Sequence, residues 1–375
     1  MPTIAVAALS ARMLAELARQ DGYEVIALDR FGDADTRRAS ARWMPVGAEG
    51  AMAVDGERLR DALSAVAGDA GLVGWIAGSG LDDAAVLSHA DAAGVALIGN
   101  APGVVARVRD ARRFFATLES LGIGHPETRF EGPTEAPGWL VKDERGTGGW
   151  HVRRARAHEP LAAHRYWQRE AQGTPMSATF VAADGDAFVL GCNRLIVRPF
   201  GALPFVYRGA IGPVPLPPAA GAEVSRAVKS LAGAFGLRGL GSLDFILEGD
   251  RILVHELNPR PSATTGLYAQ RLSPGPVRAH VDACAGGVLP SSVDRSLPIE
   301  GNEVVFARRP LHLGDAAVKA IESSGGCHDI PAVGAALDAG DPVCSVTAVG
   351  DDPERIRVEL KARRDALLDQ LETTT

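Results

Sequence analysis

Cysteine is scarce in this chain: Cys192, Cys284, Cys327 and Cys344 are the only four among 375 residues, with no CxxC pair and no compact framework. That spacing excludes a disulfide scaffold and a thiolate zinc site, and fits buried thiols in a reducing compartment. Long apolar runs are missing as well. None approaches the roughly 20 residues that cross a bilayer, so no membrane partner is expected. The opening Met1-Pro2-Thr3-Ile4 lacks a basic segment followed by a cleavable apolar one, so no secretory signal is expected and the cytoplasm is the expected location. There is no basic excess either. Lys and Arg number 39 against 46 Asp and Glu, a formal charge of -7, which argues against a nucleic-acid partner. The short basic run Arg153-Arg154, with Arg156 nearby, does not overturn that.

Two nucleotide signatures are also absent. The turn after the first expected strand reads Ala7-Ala8-Leu9-Ser10-Ala11-Arg12, without the G-x-G-x-x-G glycines that let backbone approach a pyrophosphate. A nicotinamide oxidoreductase is therefore the last choice, although Asp29 sits where a ribose-binding acid would. No G-x-x-x-x-G-K-[ST] loop is present.

At 46% hydrophobic and 23% charged, the chain has the composition of a globular protein and the length for two or three domains. Its first hundred residues alternate strand and helix. Thr3 to Ala8 reads as a strand, and Ser10 as the cap of a helix carrying Met13, Leu14, Leu17 and Ala18, which Asp21-Gly22 stops. Glu24 to Leu28, Gly71 to Ala77 and Val95 to Ile98 read as further strands, with Leu81 to Ala93 as a helix between the last two. This pattern predicts a parallel sheet covered on both faces. After Asn100-Ala101-Pro102 comes a helix over 109–121. Strands are then expected at Trp139 to Lys142, Trp150 to Arg154, Tyr166 to Ala171, Met176 to Ala182 and Ala187 to Val197, with Asp184-Gly185-Asp186 as a hairpin turn. A helix through Val224, Val228, Leu231 and Phe235 precedes strands at Leu240 to Ile246 and Asp250 to Leu257. The final section holds strand-like stretches at Glu303 to Ala307 and Val343 to Val349, and a helix with Ile356, Leu360, Leu367 and Leu371 on one face.

The residues richest in chemistry are Asp244 and the run Val254-His255-Glu256-Leu257-Asn258-Pro259-Arg260. Glu256 and Asn258 are two apart on a strand and share a face. Asp244 joins them if the intervening hairpin has an odd loop, for which Leu247, Glu248 and a left-handed Gly249 would serve. Two carboxylates and an amide carbonyl are hard oxygen donors suited to magnesium, an ion that keeps few protein ligands and fills its shell with water and phosphate. The alternative is a solvated hairpin, but these acids are embedded in apolar strands, where an unpaired charge is costly. His255 alternates to the opposite face, as a core histidine or a support for the ligands. A second signal is Lys142 at a strand end, followed by Gly146, Gly148 and Gly149, whose backbone N–H groups could close over phosphates. Glycine-rich hairpin loops are also frequent without any ligand.

Together these signals resemble the ATP-grasp superfamily over nearly the whole chain. The resemblance implies an α/β and α+β architecture. Residues 1–104 would form a Rossmann-like pre-ATP-grasp domain, 105–295 the ATP-grasp domain with a mobile lid at about 138–172, and 296–375 a small C-terminal α+β segment. ATP and Mg2+ are the implied cofactors. Asp244, Glu256 and Asn258 resemble the magnesium ligands, Lys142 and the glycine loop the lid over the phosphates, and Arg260 the arginine near the transferred phosphoryl group. The run Tyr166 to Gly173, with Gln168 and Glu170, resembles the hinge that holds adenine. His328-Asp329-Ile330-Pro331, Gly340 and Pro342 resemble the closing segment of carboxylase-like members. The chain departs from the family at Arg112 and Arg113, where a phosphate-binding lysine is usual, and at Arg169, where an acid is. Asp29 to Asp33 together with Glu256 to Leu267 looks similar to the tyramine-glutamate ligase group that serves methanofuran- and methylofuran-type cofactors.

The implied activity is ligation of a carboxylate, glutamate in that group, to an amine such as tyrosine or tyramine, through an acyl phosphate with release of ADP. Small-molecule acids and amines are then the partners, and a homodimer is the commonest assembly. Lys142 and Arg260 would act on the transferred group, with Arg112 on the phosphates. Ser262, Thr264 and Thr265 could line the acceptor pocket or cap a helix. Arg12 could pair with a substrate carboxylate or sit on a solvated helix end. The rivals are a bicarbonate-using carboxylase and a non-catalytic ATP-binding protein, the latter suggested by Arg112 and Arg169.

Overall fold

The computed structural model describes residues 1–131, 136–156 and 162–374. Its N-terminal part is a parallel sheet of four strands, β1 (Thr3–Ala7), β2 (Glu24–Asp29), β3 (Arg42–Pro45) and β4 (Leu72–Ala77), in the order β3-β2-β1-β4. Helices α1 (Arg12–Gln20), α2 (Ala34–Ala39), α3 (Gly56–Val66) and α4 (Ala84–Asp91) connect and flank them. Every residue of β1 is buried, as a strand covered on both faces requires. Three elements of this N-terminal part escaped the sequence reading. β3 is a short edge strand carrying Arg42 and Pro45, a composition that hides a strand. α3 had a legible signal, since Asp55 caps it through Glu57 N and Arg58 N and Leu59, Leu63 and Val66 form its buried stripe. α2 is a single short turn and a half. The strand expected at Val95 to Ile98 reduces to one bridge between Leu97 and Trp75. Ser10 does not cap α1: Ala11 holds that position and the Ser10 hydroxyl donates to Asp329 instead, at 3.2 Å.

Two helices follow, α5 (Pro102–Arg109) and α6 (Ala111–Ser120), where one was expected; Asp110 leaves helical geometry between them and caps α6 through Arg113 N. A small antiparallel sheet comes next, β5 (Thr128–Arg129), β6 (Trp139–Asp143), β7 (Arg153–Arg154) and β8 (Arg165–Arg169), ordered β5-β8-β6-β7. Of the strand expected from Trp150 to Arg154, only Arg153–Arg154 forms. Residues 157–161, within the expected lid, lie outside the described residues.

The largest sheet has eight strands. β9 (Thr174–Ala183), β10 (Asp186–Phe200) and β11 (Leu203–Gly212) form its middle, and after α7 (Pro218–Phe235) the hairpin β12 (Gly239–Glu248) and β13 (Arg251–Asn258) forms one edge. The β9–β10 turn is Asp184-Gly185, both with positive φ (48° and 82°), the two-residue geometry that this dipeptide favours. Beyond α8 (Pro276–Gly286), β14 (Ile299–Phe306) pairs with β11 and so extends the same sheet. β15 (Leu311–Leu313), α9 (Asp315–Ser323), β16 (Cys327–His328), β17 (Ala335–Leu337), β18 (Pro342–Gly350) and α10 (Pro353–Thr374) complete the chain, giving the order β13-β12-β9-β10-β11-β14-β18-β16. The apolar faces of α6 and α7 bury Phe114, Phe115, Leu118, Val224, Val228, Leu231 and Phe235 against β9, β12 and β13. Each such side chain contributes roughly 1.5–3 kcal/mol, which fixes the backs of the strands that carry the site. Ile356, Leu360, Leu367 and Leu371 of α10 do the same for β14 and β18. The four cysteines are free, Cys192 and Cys344 buried and the others partly so.

Candidate functional site

Asp244 on β12 and Glu256 on β13 stand directly opposite each other, and Ser242 faces Asn258. The device that aligns them is not the turn. Glu248 pairs with Arg251, so the hairpin closes on two residues, Gly249-Asp250, rather than on the expected three. The register then shifts between Asp244 and Phe245: Phe245 pairs with Val254, leaving His255 as an extra residue. This bulge moves Glu256 onto the face of Asp244. It also overturns the placement of His255 behind the sheet. His255 lines a pocket with Glu256, His151, Arg109 and Tyr166, and its buried Nδ1 has no hydrogen-bond partner among the described residues.

Burial pushes the Asp244 carboxyl up, and the charge of Glu256 adds to it, against the Ser177 hydroxyl (2.6 Å), Arg260 and the Asn258 amide (3.3 Å). Burial acts upward on Glu256 too. There Arg109, both histidines and Lys142 outweigh it and hold the carboxyl below the usual range. Lys142, on β6, is 8% exposed; burial draws its ammonium down to about 8, with Glu256 and Asp244 opposing. Burial lowers His151, and takes His255 down to about 3 with help from Lys142, so both rings are neutral near pH 7.

Arg109, at the end of α5, donates to Glu256 Oε1 at 2.9 Å and to the Gly146 carbonyl at 2.5 Å. One guanidinium thus joins the hairpin to the glycine loop. Glycine is required in that loop by contact as well as conformation. A Cβ at Gly146 would fall 2.1 Å from His151 Cβ, and one at Gly149, whose φ is 79°, would fall 1.8 Å from the Phe205 carbonyl. The Gly148 carbonyl accepts from Tyr207 N at 2.9 Å, so the loop rests on β11. Glu144 ties the small sheet to α6 by accepting from Ala111 N at 3.1 Å.

Arg260 forms a bidentate pair with Asp82 (2.9 and 2.8 Å) and reaches Asn258 Oδ1 at 3.4 Å, which places it beside the hairpin acids. Arg112 is not brought to them: exposed on α6, it stacks over Phe130 at 4.3 Å. Gln168 is buried on β8 and donates to Thr128 Oγ1 at 3.1 Å; Glu170 pairs with Arg154. Arg169 donates to the Pro137 carbonyl and stacks on Trp139 at 4.9 Å. Ser262 precedes a 3-10 turn (Ala263–Tyr268) without capping it through its side chain. Its hydroxyl meets Thr264 (2.9 Å), which meets Thr179 (2.8 Å), and the buried Thr265 hydroxyl has no partner.

Arg12 lies apart from the hairpin. It is held by Asp329 (3.0 and 3.2 Å) and Glu16 (2.9 Å), so it is neither a solvated helix end nor an open carboxylate receptor. Around it gather Asp29, Asp33 and Asp35, all buried. Asp29 accepts from Ala11 N, Gly32 N and Trp43 Nε1, and Asp35 from Asp329 N and Ile330 N. The Asp33 carboxyl has no hydrogen-bond or ion-pair partner among the described residues. Burial, with the charges of Asp329, Asp29 and Asp35, pushes it up to about 8.

The hairpin's donor set fits a hard divalent cation. Two partly buried, facing carboxylates raise each other's cost of ionisation, and the positive charge beside them is now supplied by Arg109 and Arg260. Arg109 and His151 were not singled out in the sequence, His255 was placed on the opposite face, and Tyr166 was assigned only to the hinge. His151 directly follows the glycine loop and Tyr166 lies in the expected hinge, while Arg109 carries no local signal. Among the described residues no helix is long and apolar enough to cross a membrane.

Residues 108–264 match the ATP-grasp domain family. No curated protein matches the sequence. Similar solved structures include the L-amino acid ligase from Bacillus licheniformis (TM-score 0.71, 14% identity, 97% of each chain covered). Also similar is the N5-carboxyaminoimidazole ribonucleotide synthetase from Thermus thermophilus (0.68, 17%, 98% of each). A third is a β-γ-ATP complex of biotin carboxylase from Campylobacter jejuni (0.72, 12%, covering 98% of this chain and 95% of that one). The fold, with its N-terminal parallel sheet and large antiparallel sheet, is the ATP-grasp fold.

Proposed function

We propose that this protein is an ATP- and Mg2+-dependent ligase that joins a carboxylic acid to an amine and releases ADP and phosphate. The observation that carries this reading is the set Asp244, Glu256 and Asn258 on one face, with buried Lys142 and Arg109 beside them under the glycine loop. Asp244, Glu256 and the Asn258 amide oxygen would hold magnesium, which would supply positive charge to offset that of the phosphates. Lys142, Arg109 and Arg260 supply the remaining positive charge where phosphoryl transfer needs it. A carboxylate oxygen attacks the γ-phosphorus and the bond to ADP breaks. The amine nitrogen then attacks the acyl carbon, loses its proton, and phosphate leaves. Gly146 to Gly149 would cover the acyl phosphate and keep water away. By resemblance of Asp29 to Asp33 and Glu256 to Leu267 to the tyramine-glutamate ligases, glutamate with tyramine or tyrosine is the first substrate pair to try.

The test is ADP release from Mg-ATP against a matrix of acids, bicarbonate included, and amines, with Glu256→Gln as control. ADP that depends on one acid-amine pair and vanishes in the control supports the ligase. Bicarbonate alone as the acid would make the protein a carboxylase, and AMP as product would sink the acyl-phosphate route.

A further inference from the structure

Arg208 is a buried cation that makes no ion pair with any of the described residues. It stands on β11 at a bulge: Ile196 pairs with Gly209 and Val197 with Tyr207, which leaves Arg208 as the extra residue, and bulges re-aim side chains. The residue is 9% exposed and its Nε is fully covered and unpaired. Its guanidinium lies 4.0 Å from the centre of the Phe306 ring and 5.4 Å from that of Phe200. Its side chain has no hydrogen bond or ion pair with any described residue. The acid nearby, Glu303, pairs through Oε1 with Arg364 and with Arg198 (3.4 Å), so its charge is divided between two other guanidiniums and reaches Arg208 only at a distance.

An arginine cannot discharge to relieve this, and removing an ion from water is expensive. Phe306 lies against the guanidinium at 4.0 Å, and no described residue takes up its N–H groups, which leaves them for a ligand. A planar carboxylate matches a guanidinium edge with two parallel hydrogen bonds. The location is informative. Tyr207, the preceding residue, bonds the Gly148 carbonyl through its N–H, and its buried phenol lies near enough to Asp244 to feel that charge. Trp150 of the glycine loop packs on Phe200 and Phe306, at 5.3 and 6.0 Å between ring centres. Arg208 therefore sits behind the aromatic cluster that carries Trp150 of the loop, one residue from the tyrosine that reaches toward Asp244.

We infer that Arg208 receives the carboxylate of the acid substrate, screened from water by Phe200, Phe306 and Trp150. This rests on the ligase reading and assigns its acid subsite to a residue outside the hairpin and the loop. Calorimetry on the full chain tests it, with L-glutamate, malonate, acetate and inorganic phosphate as probes and Mg-ATP in parallel, on wild type, Arg208→Gln and Arg208→Lys. At least one carboxylate should bind wild type and lose roughly 10- to 100-fold in affinity in Arg208→Gln, with partial recovery in Arg208→Lys, which keeps charge but not the fork. Mg-ATP affinity should not change, and the melting temperature of Arg208→Gln should hold or rise because an unpaired charge has gone. Carboxylates that bind all three proteins alike, or none, would overturn the inference, as would a loss confined to phosphate or Mg-ATP. A lowered melting temperature with unchanged carboxylate binding would make Arg208 a structural residue. Failure of wild type to bind Mg-ATP would instead overturn the ligase reading itself.

Discussion

Arg109 and Glu256 meet at 2.9 Å across 147 residues of chain, the arginine closing one end of α5 onto the carboxylate of β13. Its other terminal nitrogen holds the Gly146 carbonyl, so one side chain supplies positive charge to the hairpin acids and anchors the loop above them. Replacing it by methionine leaves the partly buried Glu256 beside Asp244 with less compensation. Breaking such a pair costs about 3 kcal/mol, the lower end of the range for buried ion pairs since Glu256 keeps some exposure. Arg109→Met should therefore melt several degrees lower than wild type, and excess Mg-ATP, by returning positive charge to the acids, should recover part of the loss. Equal melting temperatures without nucleotide would show that the pair carries no net stability.

Lys142 gives a pH test. Its ammonium is drawn down to about 8 in the folded protein, below the usual 10.5. The unfolded chain therefore binds this proton more tightly, and the contribution to stability grows as pH rises from about 8 to about 10.5. Nucleotide binding should move the other way. The charged form is the one that attracts phosphate, so kcat/KM for ATP should fall as pH passes through 8, and that limb should vanish in Lys142→Met. A wild-type profile flat to pH 9.5 would remove Lys142 from the phosphate site.

How much of this was legible in the sequence depends on the range of the forces involved. The two-residue period put Glu256 and Asn258 on one face, and strands rich in buried apolar residues marked the acids as anomalous. The route by which Asp244 joins them was not legible, because the bulge at His255 has no compositional signature and the turn alone gives the wrong parity. Arg109 and His151 reach Glu256 from elements far away in the chain, and no local pattern announces a contact of that kind. Arg112, expected near the phosphates, instead stacks on Phe130, a partner too far along the chain for local pattern to reveal.

Asp33 offers a second pH test, of opposite sense. Its carboxyl is pushed up to about 8, above an ordinary 3.8. The unfolded chain gives up this proton first, so stability is lost as pH rises from about 4 to about 8 and is level beyond. Asp33→Asn removes the titration while keeping the shape. It should be near neutral at pH 4 and stabilising by on the order of a few kcal/mol at pH 8.5, measured by urea unfolding at both pH values. A variant no more stable at pH 8.5 than wild type would mean that Asp33 is compensated.

Asp82 and Arg260 give the last prediction. Their two parallel bonds, 2.9 and 2.8 Å, join the loop after β4 to the end of β13, with both side chains nearly covered. Arg260 also touches Asn258, so its position is set jointly by the parallel sheet and the hairpin. Asp82→Ala leaves a buried guanidinium uncompensated and should cost about 3–5 kcal/mol. Arg260→Met strands the acid and should cost a similar amount. Because each single change abandons a charge that the double change does not, Asp82→Ala with Arg260→Met should be destabilised by much less than the sum, a coupling of about 1–3 kcal/mol in a double-mutant cycle. Activity should separate the roles. Arg260→Met removes a charge the proposed transfer needs and should abolish ADP release, whereas Asp82→Ala keeps that charge but frees its position and should retain a reduced rate. Additive stabilities would mean that the pair is solvated, and equal activities of the two single variants would deny Arg260 any role beyond its bond to Asp82.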